Sequence, residues 1–119
     1  MKKIIFSIAA VLGSYLGLYA GDIPEFPGGK EALKKYISEH TVYPASAKEN
    51  GIEGVVTVGF LVETDGSLSE IKVMKFVDPD LEKSAVRLVS GMPLWIPAEK
   101  DGVPFEAPSS VDIPFILEE

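Results

Sequence analysis

Cysteine is absent from the 119-residue chain and histidine occurs once. The first absence excludes disulfides, thiolate metal sites, cysteine nucleophiles and lipid attachment to a processed amino-terminal cysteine. The second leaves too few ligands for a zinc site. Basic residues are scarce as well: 11 Lys and Arg face 18 Asp and Glu, for a net charge of -7. Such a surface repels phosphate backbones, so nucleic acid is not an expected partner. Internal repeats, low-complexity tracts and long Pro-rich or charged linkers are missing too. What is present is a 12.8 kDa chain with 46% hydrophobic residues, the size and apolar content of one domain held together by packing.

Met1, Lys2 and Lys3 make a short basic start, and residues 4–20 then run for seventeen positions without a charge. This is the pattern of an export signal with a cleavage point between Ala20 and Gly21, although Leu18, three positions before the cut, is larger than the residue preferred there. The competing expectation is an uncleaved anchor, because a helix of about 17–25 residues crosses a bilayer. Residues 1–20 are therefore read as a signal peptide or short anchor, 21–29 as a lead-in and 30–119 as the folded domain. Setting Lys2 and Lys3 aside leaves nine basic against 18 acidic residues, a net charge of -9. The lead-in is the one stretch able to act as a tether, reaching about 30 Å if fully extended.

Leu33, Tyr36, Ile37 and His40 follow the spacing of a buried stripe and predict a helix over 30–40, with Gly28 and Gly29 before it. Tyr43-Pro44 interrupts the chain, a short helical turn follows through Ala45, Ala47 and Lys48, and Gly51 suits a left-handed stop. Over 54–63, Val56, Val58, Phe60 and Val62 alternate with a second set of β-branched and small residues, which predicts a strand. Thr64-Asp65-Gly66 carries hairpin chemistry, and 68–77 reads as the returning strand. Asp78 as cap, Pro79 at the first helical position and Asp80 and Glu82 in the first turn predict a second long helix, with Leu81, Ala85, Leu88 and Val89 on its apolar side and Gly91 at its end. After Trp95 and a turn at Lys100-Asp101-Gly102, a last strand is expected over 111–117.

Pro114 decides where that strand lies. Proline has no N–H to give to a ladder, so it is tolerated only where the donor would point away from the neighbouring strand. The last strand is therefore an edge, with Val111, Ile113, Phe115 and Leu117 toward the core and even-numbered backbone groups directed outward. The right-handed crossover rule then places it beside the first strand, in the order 2-1-3. The expected fold is α+β: two layers, a three-stranded antiparallel sheet and two helices on one face.

Residues that could carry chemistry have simpler explanations. Asp78-Pro79-Asp80 lacks the other ligands of a calcium loop and reads as a helix cap. Gly28-Gly29-Lys30 lacks the upstream glycine and the following Ser or Thr of a phosphate loop. Leu88 stands where a nucleophile elbow at Ser90 would need glycine. His40, closing its helix, reads as a partly buried amphipathic residue rather than a base, and no carboxylate pair stands out from the acidic background. Trp95, between Pro93 and Pro97, reads as a core anchor. No enzyme activity, cofactor, metal or small-molecule substrate is expected. The feature that remains is the exposed edge, a template for another extended chain.

Pro24-Glu25-Phe26-Pro27-Gly28-Gly29, Tyr43-Pro44-Ala45-Ser46-Ala47, Gly54-Val55-Val56-Thr57-Val58-Gly59-Phe60 before Asp65-Gly66, Asp78-Pro79, Met92-Pro93-Leu94-Trp95-Ile96-Pro97-Ala98 and Val111-Asp112-Ile113-Pro114-Phe115 occur in that order. Together they resemble the TonB carboxy-terminal domain family, in the branch found in Bacteroidetes-type bacteria. The resemblance runs from about Pro24 to Leu117. It implies a periplasmic domain in a double-membraned cell, or one anchored in the inner membrane and facing the periplasm. It also implies that the last strand pairs with the TonB box of TonB-dependent outer-membrane transporters, and that an anchored chain would engage the ExbB and ExbD motor. The partner-binding residues it implies are Ser110, Val111, Asp112, Ile113, Pro114, Phe115, Ile116 and Leu117, assisted by His40, Thr41, Val42 and Tyr43. Family members often carry Gln where this chain has His40. The alternative expectation is a homodimeric structural or regulatory envelope domain that uses the same edge without transducing energy.

Overall fold

The computed structural model describes residues 21–118, and the signal or anchor expected over 1–20 lies outside them. In the first strand, β1 (Gly54–Val62), the even-numbered Val56, Val58, Phe60 and Val62 are buried. The odd-numbered Val55, Thr57 and Leu61 are only half-buried on the opposite face. That period of two gives the sheet one side to cover. The helices cover it, together with Val111, Ile113 and Phe115 from the last strand.

β1 turns into β2 (Leu68–Lys75) through the expected Asp-Gly chemistry. Gly66 adopts φ +91, and its amide donates to the Glu63 carbonyl. Asp65 Oδ1 accepts from the amide and hydroxyl of Ser67, and those bonds hold its carboxyl below the ordinary range. A Cβ at Gly66 would run into the Trp95 carbonyl oxygen, so the turn needs glycine for space as well as for φ.

Helix α1 (Gly29–His40) is entered from Gly28 at φ +91 without a side-chain cap. Its Leu33, Tyr36 and Ile37 pack half-buried on the core, as their spacing predicts. His40 is a correction: it is exposed, its ring stacked on Tyr36 with centroids 4.1 Å apart and Nδ1 2.9 Å from the Tyr36 carbonyl oxygen. The stripe has run past the edge of the core by the last turn. Helix α2 (Ala45–Glu49) is the short turn read from the sequence, and Gly51 behind it has φ +65. Helix α3 (Pro79–Ser90) starts as capping predicts, with Asp78 accepting from the amides of Asp80 and Leu81. It buries Leu81, Ala85, Leu88 and Val89.

Between α3 and the last strand the chain forms a small hairpin, β3 (Ala98–Lys100) and β4 (Val103–Phe105). Asp101 and Gly102 both have positive φ, as a two-residue hairpin of this hand requires. The sequence shows this turn, but strands of three residues carry too little periodicity to be read. The last strand, β5 (Ala107–Phe115), begins four residues before the expected start. The main sheet has the order β2-β1-β5, antiparallel throughout, which is the predicted 2-1-3 arrangement with the hairpin set aside.

The lead-in is folded, contrary to its reading as a tether. Glu25 exchanges backbone hydrogen bonds with Ile96, the Glu99 amide donates to the Gly21 carbonyl at 2.7 Å, and Phe26 is buried. Phe26 meets Trp95 edge-on at 5.7 Å and Tyr36 at 5.5 Å between centroids. Aromatic burial at Phe26 outweighs the freedom that a polar lead-in would keep. Trp95 is the expected anchor, also packed edge-on against Phe60, with its indole N–H lacking a hydrogen-bond acceptor. Among the described residues the buried core runs from Phe26 to Phe115.

Candidate functional site

Among the described residues β5 is flanked by β1 on one side and by no strand on the other. Its register with β1 is unbroken, from Ala107 opposite Val62 to Phe115 opposite Gly54. Along it Val111, Ile113 and Phe115 are buried, whereas Pro108, Ser110, Asp112, Pro114 and Ile116 are exposed. In an antiparallel ladder the N–H and C=O of a residue point to the same side, and alternate residues face alternate strands. Pro108 and Pro114 have the same parity and no N–H, so even-numbered residues face away from β1. An independent contact agrees: the odd-numbered Leu117 donates its amide to Glu53 Oε2 at 2.6 Å, on the β1 side. The free edge therefore presents carbonyls at all even positions and amide donors at Ser110, Asp112 and Ile116.

Two side-chain contacts fix this edge. Thr57 Oγ1 donates to Asp112 Oδ1 at 2.7 Å across the open face. Tyr43 meets Phe115 edge-on, with centroids 5.6 Å apart, and donates its hydroxyl to the Ile52 carbonyl. Burial, followed by the charge of Glu53, pushes the Tyr43 phenol above its ordinary pKa of 10.0, so it remains the neutral donor that this bond needs. At the start of β5, Glu106 lies above its ordinary 4.5 through a shared hydrogen bond with Glu63 and the charge of Glu63, then desolvation, then the charge of Glu70.

The twelve residues expected at the interface divide by position. Ser110, Asp112, Pro114 and Ile116 lie on the free edge. Val111, Ile113 and Phe115 place their side chains in the core and carry the edge from beneath, and half-buried Leu117 is tied to Glu53. Of the assisting segment, Tyr43 is brought to β5, whereas His40 stacks on Tyr36, Thr41 Oγ1 donates to the Ile37 carbonyl and the Val42 carbonyl accepts from Ser84 Oγ. Sequence reasoning missed Pro108, Thr57 and Glu53. Pro108 had a signal, its even spacing from Pro114, but Ala107-Pro108-Ser109-Ser110 has the composition of a loop.

A shallow depression of about 590 Å³ lies over α3 and Val73, with Glu82 and Arg87 on its rim. It is wide open, and Val73, Pro79 and Val86 line it beside Glu82, Lys83, Arg87 and Ser90. Among the described residues no group of three or more His, Asp or Glu is placed to hold a metal ion, and no helix is long and apolar enough to cross a membrane.

Comparison with known proteins agrees with this architecture. Residues 39–117 match the family described as the Gram-negative bacterial TonB protein C-terminal. Protein TonB of Haemophilus influenzae is 37% identical over 70 residues, 58% of this chain and 26% of that protein. Protein TonB of Helicobacter pylori is 34% identical over 77 residues, 64% of this chain and 27% of its own length. The chain thus spans about a quarter of the curated relatives it matches. A solution structure of the Helicobacter pylori TonB carboxy-terminal domain superposes with a TM-score of 0.59 at 28% identity, covering 75% of this chain and 94% of that one. A longer form of the same domain gives 0.59 at 29% identity, covering 78% and 88%. With the family match reaching from the end of α1 through β5, the chain belongs to the TonB carboxy-terminal domain family.

Proposed function

We propose that this domain serves energy-dependent transport across the outer membrane by capturing an extended segment, the TonB box of a TonB-dependent transporter, along the free edge of β5. The observation that carries the reading is the continuous register of β5 with β1, which holds an exposed strand straight and leaves its outer hydrogen-bonding groups open. Membership in the TonB family supports the transport context, and the charge-free run over 4–20 supports export to the periplasm. An uncleaved run would instead hold the domain at the inner membrane, within reach of an ExbB and ExbD motor. The role is binding rather than catalysis.

Magnitudes set the expected strength. Ser110 and Asp112 can each exchange two backbone hydrogen bonds with a partner, at about 1 kcal/mol net per bond. Association costs about 4–15 kcal/mol, so affinity should be modest unless side chains beside the edge add to it. Ile116, 60% exposed just beyond the strand, is the apolar side chain placed to do so.

The test is titration of the isotopically labelled chain from residue 21 onward with TonB-box peptides from transporters of the same genome, following backbone amide shifts. Shifts concentrated at Ser110, Asp112 and Ile116 are expected. No shift at millimolar peptide would remove transporter docking.

A further inference from the structure

We propose that Pro108 and Pro114 act as end stops on β5, confining docking to a short extended segment and removing hydrogen bonds from every register in which a second copy of this chain could pair with the same edge. The inference rests on the edge-docking reading but adds to it the length of partner that fits and the weakening of self-pairing.

The two prolines face outward at either end of the window that contains Ser110 and Asp112. A proline-free segment laid along β5 can exchange both bonds with Ser110 and with Asp112. Beyond them it can still donate to the Pro108 and Pro114 carbonyls, but its own carbonyls there meet ring methylenes instead of N–H groups. Each such bond leaves a partner carbonyl against a ring without a donor, which offsets it, so extra length past the prolines gains little. The alternating pattern of the strand also fixes how far this window extends: about five residues from Pro108 to Pro114 lie between the rings.

A second copy brings its own two rings. Antiparallel self-pairing about a two-fold axis must set even residues against even residues. The register centred on the strand puts Ser110 opposite Asp112 of the other copy, and Pro108 opposite Pro114 at both ends. There neither bond can form, and two rings meet in one gap. Sliding to the next allowed register puts Asp112 directly opposite Asp112, a like-charge pair, and sets Pro114 against Ser110. Sliding the other way puts Ser110 opposite Ser110 and Pro108 opposite Asp112, where one bond of each pair is lost. Every well-overlapped register thus loses bonds to a proline of each copy. A partner without proline brings no rings of its own and meets only the two on β5.

The experiment compares the chain from residue 21 onward with Pro108→Thr/Pro114→Thr and with Pro114→Thr alone, the single change serving if the double variant folds poorly. Sedimentation is followed up to high micromolar concentration, and binding is measured for alternating Thr/Val peptides of about five and about nine residues. The parent is expected to be monomeric and to bind the two peptides about equally. The double variant is expected to self-associate and to bind the longer peptide roughly tenfold to a hundredfold more tightly than the parent does, from two restored amide donors. A parent dimer with Ser110 and Asp112 amides protected would overturn the proposal, as would folded variants that stay monomeric with unchanged preference for length. If the parent binds no peptide at all, edge docking fails, and the self-association of the variants still decides whether the prolines are stops.

Discussion

β2 and β5 both flank β1, yet they meet solvent differently. β2 slips register twice against β1, between Thr57 and Val58 and again between Gly59 and Leu61, and Glu70 near the second slip takes φ +49. It carries Lys72 and Lys75, both exposed. Bulges twist an edge away from a flat partner and lysines resist burial beside one. β5 has neither device: its register is continuous and no lysine lies on it. Its protection is confined to two prolines, which leave Ser110 and Asp112 open between them. One edge of the sheet is interrupted by register slips and lysines, and the other carries only a proline toward each end.

The largest effect that sharpens this contrast lies beneath the edge. Phe115 is 1% exposed and Met74 on β2 is 63% exposed. Phe115→Ala should cost about 3–5 kcal/mol in urea unfolding, whereas Met74→Ala should stay within about 0.5 kcal/mol. Comparable losses at the two positions would mean that β2 supports the core as much as β5 does.

Next in size is the alternation along β5. Amides of Val111, Ile113 and Phe115 should exchange with solvent at rates approaching global unfolding, and those of Ser110 and Asp112 far faster. Uniform protection would show that the edge is already paired. For the opposite edge, Lys72→Thr/Lys75→Thr should leave peptide binding to β5 unchanged and should not make β2 a second docking edge, because both register slips remain. Peptide-induced shifts moving to β2 in that variant would show that charge alone had kept it closed.

The smallest effect concerns the Glu63–Glu106 pair at the start of β5. A carboxyl whose folded pKa is raised contributes stability that is fully present below its unfolded pKa and lost as pH rises through the folded one. Glu106→Gln should therefore raise the thermal midpoint at neutral pH, with the gain disappearing as pH falls below the ordinary 4.5. An equal difference at both pH values would separate Glu106 from Glu63.

Much of the edge was readable because one residue type carried it. Pro114 alone required an edge and assigned the outward parity, and the Leu117 amide on Glu53 bears that parity out. The β1–β2 turn and the α3 cap were legible for the same reason: Asp65-Gly66 and Asp78-Pro79 act on backbone atoms within a few residues of themselves. The early start of β5 was not legible, because Pro108, Ser109 and Ser110 have loop composition and are held extended only by pairing with β1.

The sequence by itself determined the hairpin, the capped helix, the buried faces of β1 and β5 and the exposure of the last strand. Each follows from a local conformational preference or from a period that one strand or helix expresses alone. Tertiary structure alone decided that Phe26 closes over Trp95 and folds the lead-in onto the domain, that His40 overshoots the core, and that β2 slips twice while β5 does not. Those outcomes depend on which surfaces meet across the sheet and at what register. Such long-range packing is set by neighbours distant in the chain, which no local pattern encodes.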